Sequence, residues 1–598
     1  MSAFRAPVKE MRFVMDSVCG LADLQKIETF AEASGDLVDA VLDEAGKLAA
    51  GILDPLNLPG DQAGSVLENG VVRAPDGFAE AYRAYVEGGW NGLAVAEEHG
   101  GQGLPFLLMA GVQEMFTSAN MSWALCPMLT HGAVKAMTAH ASDELKAIYL
   151  AKLVSGEWTG TMNLTEPQAG SDVGALKSTA TPRGDGSYSI RGTKIFITWG
   201  EHEMAENIIH LVLARTPGAP EGSKGISMFL VPKFLVNADA TIGARNDLKC
   251  VSLEHKLGIH ASPTCVMSFG DNDDCAGWLV GVENQGMRNM FTMMNHARIN
   301  VGLQGVAIAE RATQRAVAYA FERVQGVPAG AGGPAPGPIA GHADVRRMLM
   351  TMRVLTEAAR ALTYLNASAV DRGHAHPDQE VRRRWAGLAD LLTPVTKAFA
   401  TDMGVEVASL GVQVHGGMGF IEETGAAQHY RDARIAPIYE GTNGIQALDL
   451  VGRKLNQDGG AHWRHFFREI GLFTEALPAK GALSSVKPHL QDAMIALHNA
   501  AEWLTGEGAG SPRAVQAGAT PFARMFGITV GGYLLAREAV EAESRLDAGD
   551  SDGDFLNGKI ASARFYAANI LPQAVALHAA VTAGDEAMFA ISDDLLRG

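Results

Sequence analysis

Glu440 is a carboxylate whose surroundings could suit chemistry. It sits in Arg431-Asp-Ala-Arg-Ile-Ala-Pro-Ile-Tyr-Glu-Gly-Thr-Asn-Gly444, between an apolar run and a Gly-Thr turn. A carboxylate there is expected to be half buried, and desolvation raises its pKa toward that of a useful general base. A Glu in such a place is equally a helix-terminal residue, so the segment alone leaves both readings open. Two other stretches carry suitable side chains. Thr161-Met-Asn-Leu-Thr-Glu-Pro-Gln-Ala-Gly-Ser-Asp172 puts free backbone N–H groups and hydroxyls on one loop. Such a loop can hold a carbonyl-rich ring edge or a phosphate, and taken alone it reads first as a helix cap or strand connector. Lys194-Ile-Phe-Ile-Thr-Trp-Gly200 alternates, with Ile195 and Ile197 on one face and Phe196 and Thr198 on the other. That ring and hydroxyl could stack on a planar cofactor and bond its edge. On periodicity alone the run is a half-buried strand.

The elements that must position these residues follow from periodicity. From about Leu21 to Ser155 apolar residues recur at three- and four-residue steps, as in Phe78-Ala-Glu-Ala-Tyr-Arg-Ala-Tyr-Val, with a turn-rich break at His99–Pro105. From Trp158 the texture changes. Ser187–Ile197, Ile208–Ala214, Ile226–Val231 and Thr264–Phe269 are β-branched and aromatic runs punctuated by Gly, Pro and Asp, and they read as antiparallel strands. Residues from about Glu283 to Lys454 return to helical periodicity, including Val301–Ala320 and Val345–Val370. Between those two stretches Gly326–Gly341 is a Gly/Ala/Pro loop, with no Gly-Lys-Ser/Thr to make it a phosphate loop. A further helical stretch runs from Leu455 to Gly598, broken near Gly506–Pro512. The expected fold is mainly α with a β-domain. Its expected divisions are an N-terminal helical domain (1–155), a middle β-barrel-like domain (156–282), a helical bundle (283–454) and a helical C-terminal extension (455–598). No GxGxxG follows a strand, which argues against a Rossmann unit.

Composition narrows the function classes. The chain has 598 residues, 47% hydrophobic and 19% charged, enough for extensive cores. A net charge of −18 argues against a nucleic-acid surface, because phosphate binding needs clustered Lys and Arg. Cys19, Cys126, Cys250, Cys265 and Cys275 form no CxxC pair, which points to a reducing compartment without a disulfide framework or zinc site. The pairs His374/His376 and His462/His465 lack completing ligands and read as surface histidines, so no metal is expected. No segment has the length and apolarity of a membrane span, and a cytoplasmic location is expected.

Taken together, the short motifs become specific. Thr165-Glu-Pro-Gln-Ala-Gly-Ser-Asp, Lys194-Ile-Phe-Ile-Thr, Gln413-Val-His-Gly-Gly-Met-Gly-Phe and Ile438-Tyr-Glu-Gly-Thr resemble the acyl-CoA dehydrogenase family, in order and at compatible spacings over about Leu21 to Lys454. The opening Phe4–Phe13, Glu254–Thr264, Met293–Arg298 and the long extension resemble the branch of that family that contains 3-(methylthio)propanoyl-CoA dehydrogenase. The resemblance implies FAD lying between subunits, an acyl-CoA substrate and electron-transfer flavoprotein as acceptor. It also implies a homodimer or dimer of dimers, and a place in β-oxidation or dimethylsulfoniopropionate degradation.

Roles carry over by motif. Met162, Leu164 and Thr165 match flavin contacts, and Gly170 and Ser171 match residues near the pyrophosphate and thioester. Phe196 stands where an aromatic lies against the isoalloxazine, and Thr198 where a hydroxyl meets its N5 edge. Arg323 matches the residue pairing with the neighbouring subunit's FAD pyrophosphate, a contact suited to a planar guanidinium. Gln413 and Gly417 match adenosine-side contacts of that partner site, and Thr442 a further FAD contact. Ser171, Arg298, Glu440 and Gly441 match the substrate-side positions. Glu440 matches the base that removes the α-proton, with its backbone N–H and a ribityl hydroxyl stabilising the thioester oxygen while hydride passes to flavin N5. Two positions depart from the family. Gly444 stands where many members have Gln or Glu. Ala297 occupies the place, directly before Arg298, where some members hold their base. Pocket depth is expected to depend on side chains near Glu114, Met115 and Phe116. Rival readings are an acyl-CoA oxidase, a long-chain dehydrogenase and an inactive scaffolding homologue.

Overall fold

The computed structural model describes residues 3–598 except Ala331 and Pro334, so two positions of the expected loop 326–341 lie outside the described residues. By internal contacts the chain divides into two compact units. One comprises residues 3–6 and 43–300, the other residues 7–42 and 301–598.

The first unit combines helices with a sheet. Phe106–Ala119 is buried along its whole length and Met121–His140 nearly so, because almost every residue of the pair is apolar or small. Asn120 caps the second helix by accepting from Trp123 N–H at 3.1 Å. Glu114, Met115 and Phe116 all lie in the first of these helices. Phe116 packs edge-on against Tyr85, Trp90 and Trp123, so it is a member of an aromatic core. A short hairpin, Val66–Glu68 with Val71–Arg73, interrupts the helices. Periodicity could not reveal it, since three-residue strands carry too few alternations.

The eight-stranded sheet of the described residues runs Leu248–Leu253, Thr264–Phe269, Tyr188–Thr198, Ala276–Leu279, Ser227–Pro232, Asn207–Ala214, Trp158–Asn163, with Thr179–Pro182 also pairing Tyr188–Thr198. The four strand runs read from sequence are all strands, displaced by a residue at most. Among the runs read as antiparallel, Tyr188–Thr198 pairs antiparallel with Thr264–Phe269 and Asn207–Ala214 with Ser227–Pro232, while the additional strand Trp158–Asn163 lies parallel to Asn207–Ala214. Asn207–Ala214 and Ser227–Pro232 are buried at every position, and Val212, Phe229, Ile190 and Met267 centre the core.

The second unit is helical. Its long helices are Ala343–Ala375, Gln379–His415 and Pro512–Asp547, together with the later turns of Gly286–Glu322. The Gly/Ala/Pro loop leaves and returns at one point, with Gln325 N–H donating to Gly337 O at 3.1 Å and Gly337 N–H to Gly326 O at 3.0 Å. The N-terminal helix Val8–Ser17 packs with the C-terminal extension. Lys559, fully buried, pairs there with Glu10 and, at 2.7 Å, with Glu538. Among the described residues no helix is long and apolar enough to cross a membrane.

Candidate active site

The flavin-type residues of the first unit come together where the strand Trp158–Asn163 ends and the strand Tyr188–Thr198 passes beside it. Ile195 N–H donates to Thr165 O at 2.9 Å, stitching the loop after the first strand to the second. Lys194 is fully buried, and its ammonium reaches Glu166 at 2.8 Å and Leu164 O at 3.0 Å. Glu166 also accepts from the Ser178 hydroxyl at 2.6 Å, Ser178 N–H at 3.1 Å, Lys177 N–H at 2.7 Å and Gln168 Nε2 at 2.7 Å. Burial pushes the Glu166 carboxyl up, but the Lys194 charge and these hydrogen bonds outweigh it and hold the group at about 2. The Glu166–Lys194 pair therefore fixes the start of the loop, while its tip at Gly170 and Ser171 stays exposed.

The strand itself departs from the expected alternation. Phe196 has φ +60° and Trp199 φ +52°, left-handed values that cost on the order of 1–3 kcal/mol each for a non-glycine residue. The pairing with Thr264–Phe269 shifts register between Cys265 and Met267, opposite Phe196, so the strand is bulged there. Phe196 is 57% exposed, and Thr198 is half-buried two residues on. Met162 and Thr165 are half-buried and Leu164 is buried. An uncovered flat ring, a nearby hydroxyl and an open loop carrying Gly170 and Ser171 suit a planar ring with a hydrogen-bonding edge. A methyl group added at Gly170 would meet nothing within 4 Å, so the backbone there is accessible to a ligand. The donor set fits the isoalloxazine and phosphates of FAD. Arg298, on the helix Gly286–Glu322, is buried with its guanidinium 5.6 Å from the Phe291 ring.

The second unit holds the other candidates in two groups. Tyr319 stacks on His415 with centroids 4.5 Å apart, bringing the end of Gly286–Glu322 to the end of Gln379–His415. Arg323, one turn beyond Tyr319, and Gln413 and Gly417, flanking His415, are all exposed there. Met418, Phe420 (86% exposed) and Ile421 form an uncovered apolar patch beside them.

Glu440 is half-buried, as its flanking sequence implies. It adopts φ +57° and Gly441 φ +83°, so the chain turns sharply at the carboxylate. Tyr439 donates its hydroxyl to Gln304 Oε1. The Thr442 hydroxyl accepts from Ile445 N–H at 3.2 Å and caps the helix Asn443–Asp449, a role that leaves its own proton free to be donated elsewhere. Sequence reading did not single out Asn443 or Gln446. Asn443 accepts from Lys397 Nζ at 2.8 Å and donates to Asp402 at 2.7 Å. Gln446 donates to the carbonyls of Glu440 at 3.2 Å and Gly441 at 3.3 Å. The one local signal was a polar Asn and Gln on a helix that begins directly after the Glu-Gly-Thr turn.

Comparison with known proteins shows the family. Four family models match: "Acyl-CoA dehydrogenase, N-terminal domain" over residues 68–157, "middle domain" over 161–272, "C-terminal domain" over 284–455, and "Acetyl-CoA dehydrogenase C-terminal like" over 466–592. The chain is 47% identical to 3-methylmercaptopropionyl-CoA dehydrogenase of Ruegeria pomeroyi, over 97% of this chain and 98% of that protein. It is 36% identical to a butyryl-CoA dehydrogenase of Syntrophomonas wolfei, over 94% of each. An acyl-CoA dehydrogenase from Bacillus anthracis solved with FAD superposes with a TM-score of 0.73 at 21% identity, covering 96% of this chain and 92% of that one. That likeness shows the fold.

Proposed function

The chain belongs to the acyl-CoA dehydrogenase family, and from that premise we propose that it dehydrogenates a short acyl-CoA, preferentially 3-(methylthio)propanoyl-CoA, with Glu440 as base. The enzyme uses FAD. The observation that carries the assignment of the base is the Glu440–Gly441 turn, a half-buried carboxylate held in a left-handed conformation by hydrogen bonds to its own and the next carbonyl.

The thioester α-proton passes to the Glu440 carboxylate, and the backbone N–H of Glu440 donates to the thioester oxygen where negative charge builds. FAD supplies the two-electron acceptor for the hydride leaving the β-carbon, and the product is the trans-2-enoyl-CoA. Met162, Leu164, Thr165, Gly170, Ser171, Phe196, Thr198 and Thr442 are assigned to the cofactor, Ser171, Arg298 and Gly441 to the substrate. Arg323, Gln413 and Gly417 are assigned to the FAD of a partner subunit in a homodimer or dimer of dimers. The uncovered Met418–Ile421 patch beside them supports a partner copy. The electrons then go to electron-transfer flavoprotein. Five buried, unpaired cysteines accord with a reducing, cytoplasmic setting. The substrate choice rests on the Ruegeria relative, named for the methylthio substrate, and would place the enzyme in dimethylsulfoniopropionate degradation.

The test is kcat/KM across acyl-CoA chain lengths with an artificial electron acceptor. A thioether sulfur is nearly isosteric with a methylene, and one methylene in an apolar pocket is worth about 1–3 kcal/mol. Butanoyl- and pentanoyl-CoA should therefore turn over within about ten- to a hundredfold of 3-(methylthio)propanoyl-CoA. An optimum at palmitoyl-CoA would overturn the substrate assignment. Arg323→Ala should weaken FAD retention by about 10- to 100-fold, the weight of a charge-assisted hydrogen bond, while slowing the FAD-saturated enzyme little. Unchanged FAD affinity by dialysis and titration would remove Arg323 from the cofactor site.

A further inference from the structure

A carboxylate on a left-handed residue stays there only if its neighbours hold it, because release to an ordinary conformation relieves strain on the order of 1–3 kcal/mol. At Glu440 the restraint comes from two residues that follow it. Gln446 is fully buried, and its single NH₂ group bridges the carbonyls of Glu440 (3.2 Å) and Gly441 (3.3 Å). One donor between consecutive carbonyls fixes both peptide planes, and with them the direction in which the Glu440 side chain leaves the backbone.

Asn443 closes the same loop and ties it to the helix Gln379–His415. Its N–H donates to Pro437 O at 2.9 Å, so the segment from Pro437 to Asn443 is a closed ring. Its side-chain oxygen faces the Lys397 ammonium at 2.8 Å. Its NH₂ faces the Asp402 carboxylate at 2.7 Å, the Thr401 hydroxyl at 3.0 Å and Ala398 O at 3.2 Å. The amide offers an acceptor oxygen to the ammonium and two N–H donors to the carboxylate and its neighbours at once. An aspartate would set two carboxylates against each other, and an apolar residue would remove every one of these bonds. Thr520, Ala523 and Arg524 of Pro512–Asp547 line a small cavity with Asn443 and Asp402, and Arg524 is tied to Glu406 at 3.1 Å. The C-terminal extension thus covers this anchor.

We propose that Gln446 and Asn443 are positioning residues that hold the Glu440 carboxylate for proton abstraction, and that the helix Pro512–Asp547 shields the Asn443 anchor. This rests on Glu440 being the base. Misplacement of a catalytic group by an ångström costs up to about a hundredfold in rate. The test compares full-length, FAD-loaded wild type with Asn443→Ala, Gln446→Met and Glu440→Gln in rapid-mixing flavin reduction by butanoyl-CoA and by its α-deuterated form.

Each positioning variant should lose about 10- to 100-fold at saturating substrate, with KM changed less than about threefold. The α-deuterium isotope effect should rise as proton removal becomes slower, a readout that mere loosening of the fold does not move. FAD content should stay at the wild-type level. Gln446→Met keeps the side-chain volume and removes only the two bonds, so it decides the matter if Asn443→Ala does not fold. Wild-type rates and isotope effects in the folded variants, or a change confined to KM, overturn the inference while a slow Glu440→Gln leaves the base in place. A Glu440→Gln enzyme that reduces its flavin at wild-type speed removes the base assignment and this inference with it.

Discussion

Glu440→Gln should keep its fold and FAD and reduce its flavin at least about 10²–10⁴-fold more slowly, the contribution expected of a general base. The change is nearly isosteric. The bonds that set the turn run through the carbonyls of Glu440 and Gly441 and through Asn443, so the backbone can keep its conformation. What is lost is the proton acceptor, since an amide oxygen at neutral pH cannot hold the proton of a thioester α-carbon. The position directly before Arg298, where some family members hold a base, is Ala297, which offers no substitute. Rapid-mixing absorbance of the flavin with saturating acyl-CoA reads the effect. A variant at near wild-type speed would mean that another group takes the proton.

Lys194→Met should have the largest effect on stability. It leaves Glu166 buried with its charge uncompensated, a change that costs about 3–5 kcal/mol when one partner of a buried pair is removed. The damage should appear first in the loop that Lys194 ties through Leu164 O and Glu166, which carries Thr165, Gly170 and Ser171. FAD release, followed by its fluorescence, should therefore precede global unfolding and move to lower temperature. Burial pushes the Lys194 ammonium down to about 8, with Glu166 pulling it back up, so the pair's net contribution is what remains after that desolvation.

The same pair sets an acid limit. The folded-state pKa of Glu166, about 2, lies below the ordinary glutamate value of 4.5, so its stabilisation is complete above 4.5 and is lost as pH falls toward 2. Without the Lys194 charge the carboxyl protonates at higher pH, and acid-induced FAD release should move up correspondingly. Identical melting and acid profiles for wild type and Lys194→Met would show that the pair does not hold the loop.

Much of this was legible in the sequence because it is locally written. Helical spacing in Val345–Val370, β-branched runs such as Thr264–Phe269 and the Glu-Gly-Thr turn each repeat or break over a few residues, and the structure keeps those element types. The flanking residues of Glu440 imply half-burial, but its assignment as the base rests on the combined motifs and their resemblance to the family, since the segment alone leaves a helix-terminal reading open. What the sequence could not supply depends on partners far along the chain. Nothing local marks Lys194, and only its approach to Glu166, 28 residues away, makes it half of a buried ion pair. The bulge at Phe196 arises from register against Thr264–Phe269, so strict alternation misplaced Ile195 relative to Ile197. Asn443 and Gln446 look like ordinary first-turn helix residues until Lys397 and Asp402, more than 40 positions earlier, face the Asn443 amide. The docking of Val8–Ser17 on the extension likewise rests on Lys559 meeting Glu10, 549 residues apart. Periodicity encodes which face of an element is buried; which charged or polar group waits on the other side is decided only when distant segments pack, because an unpaired buried charge costs too much to leave to chance.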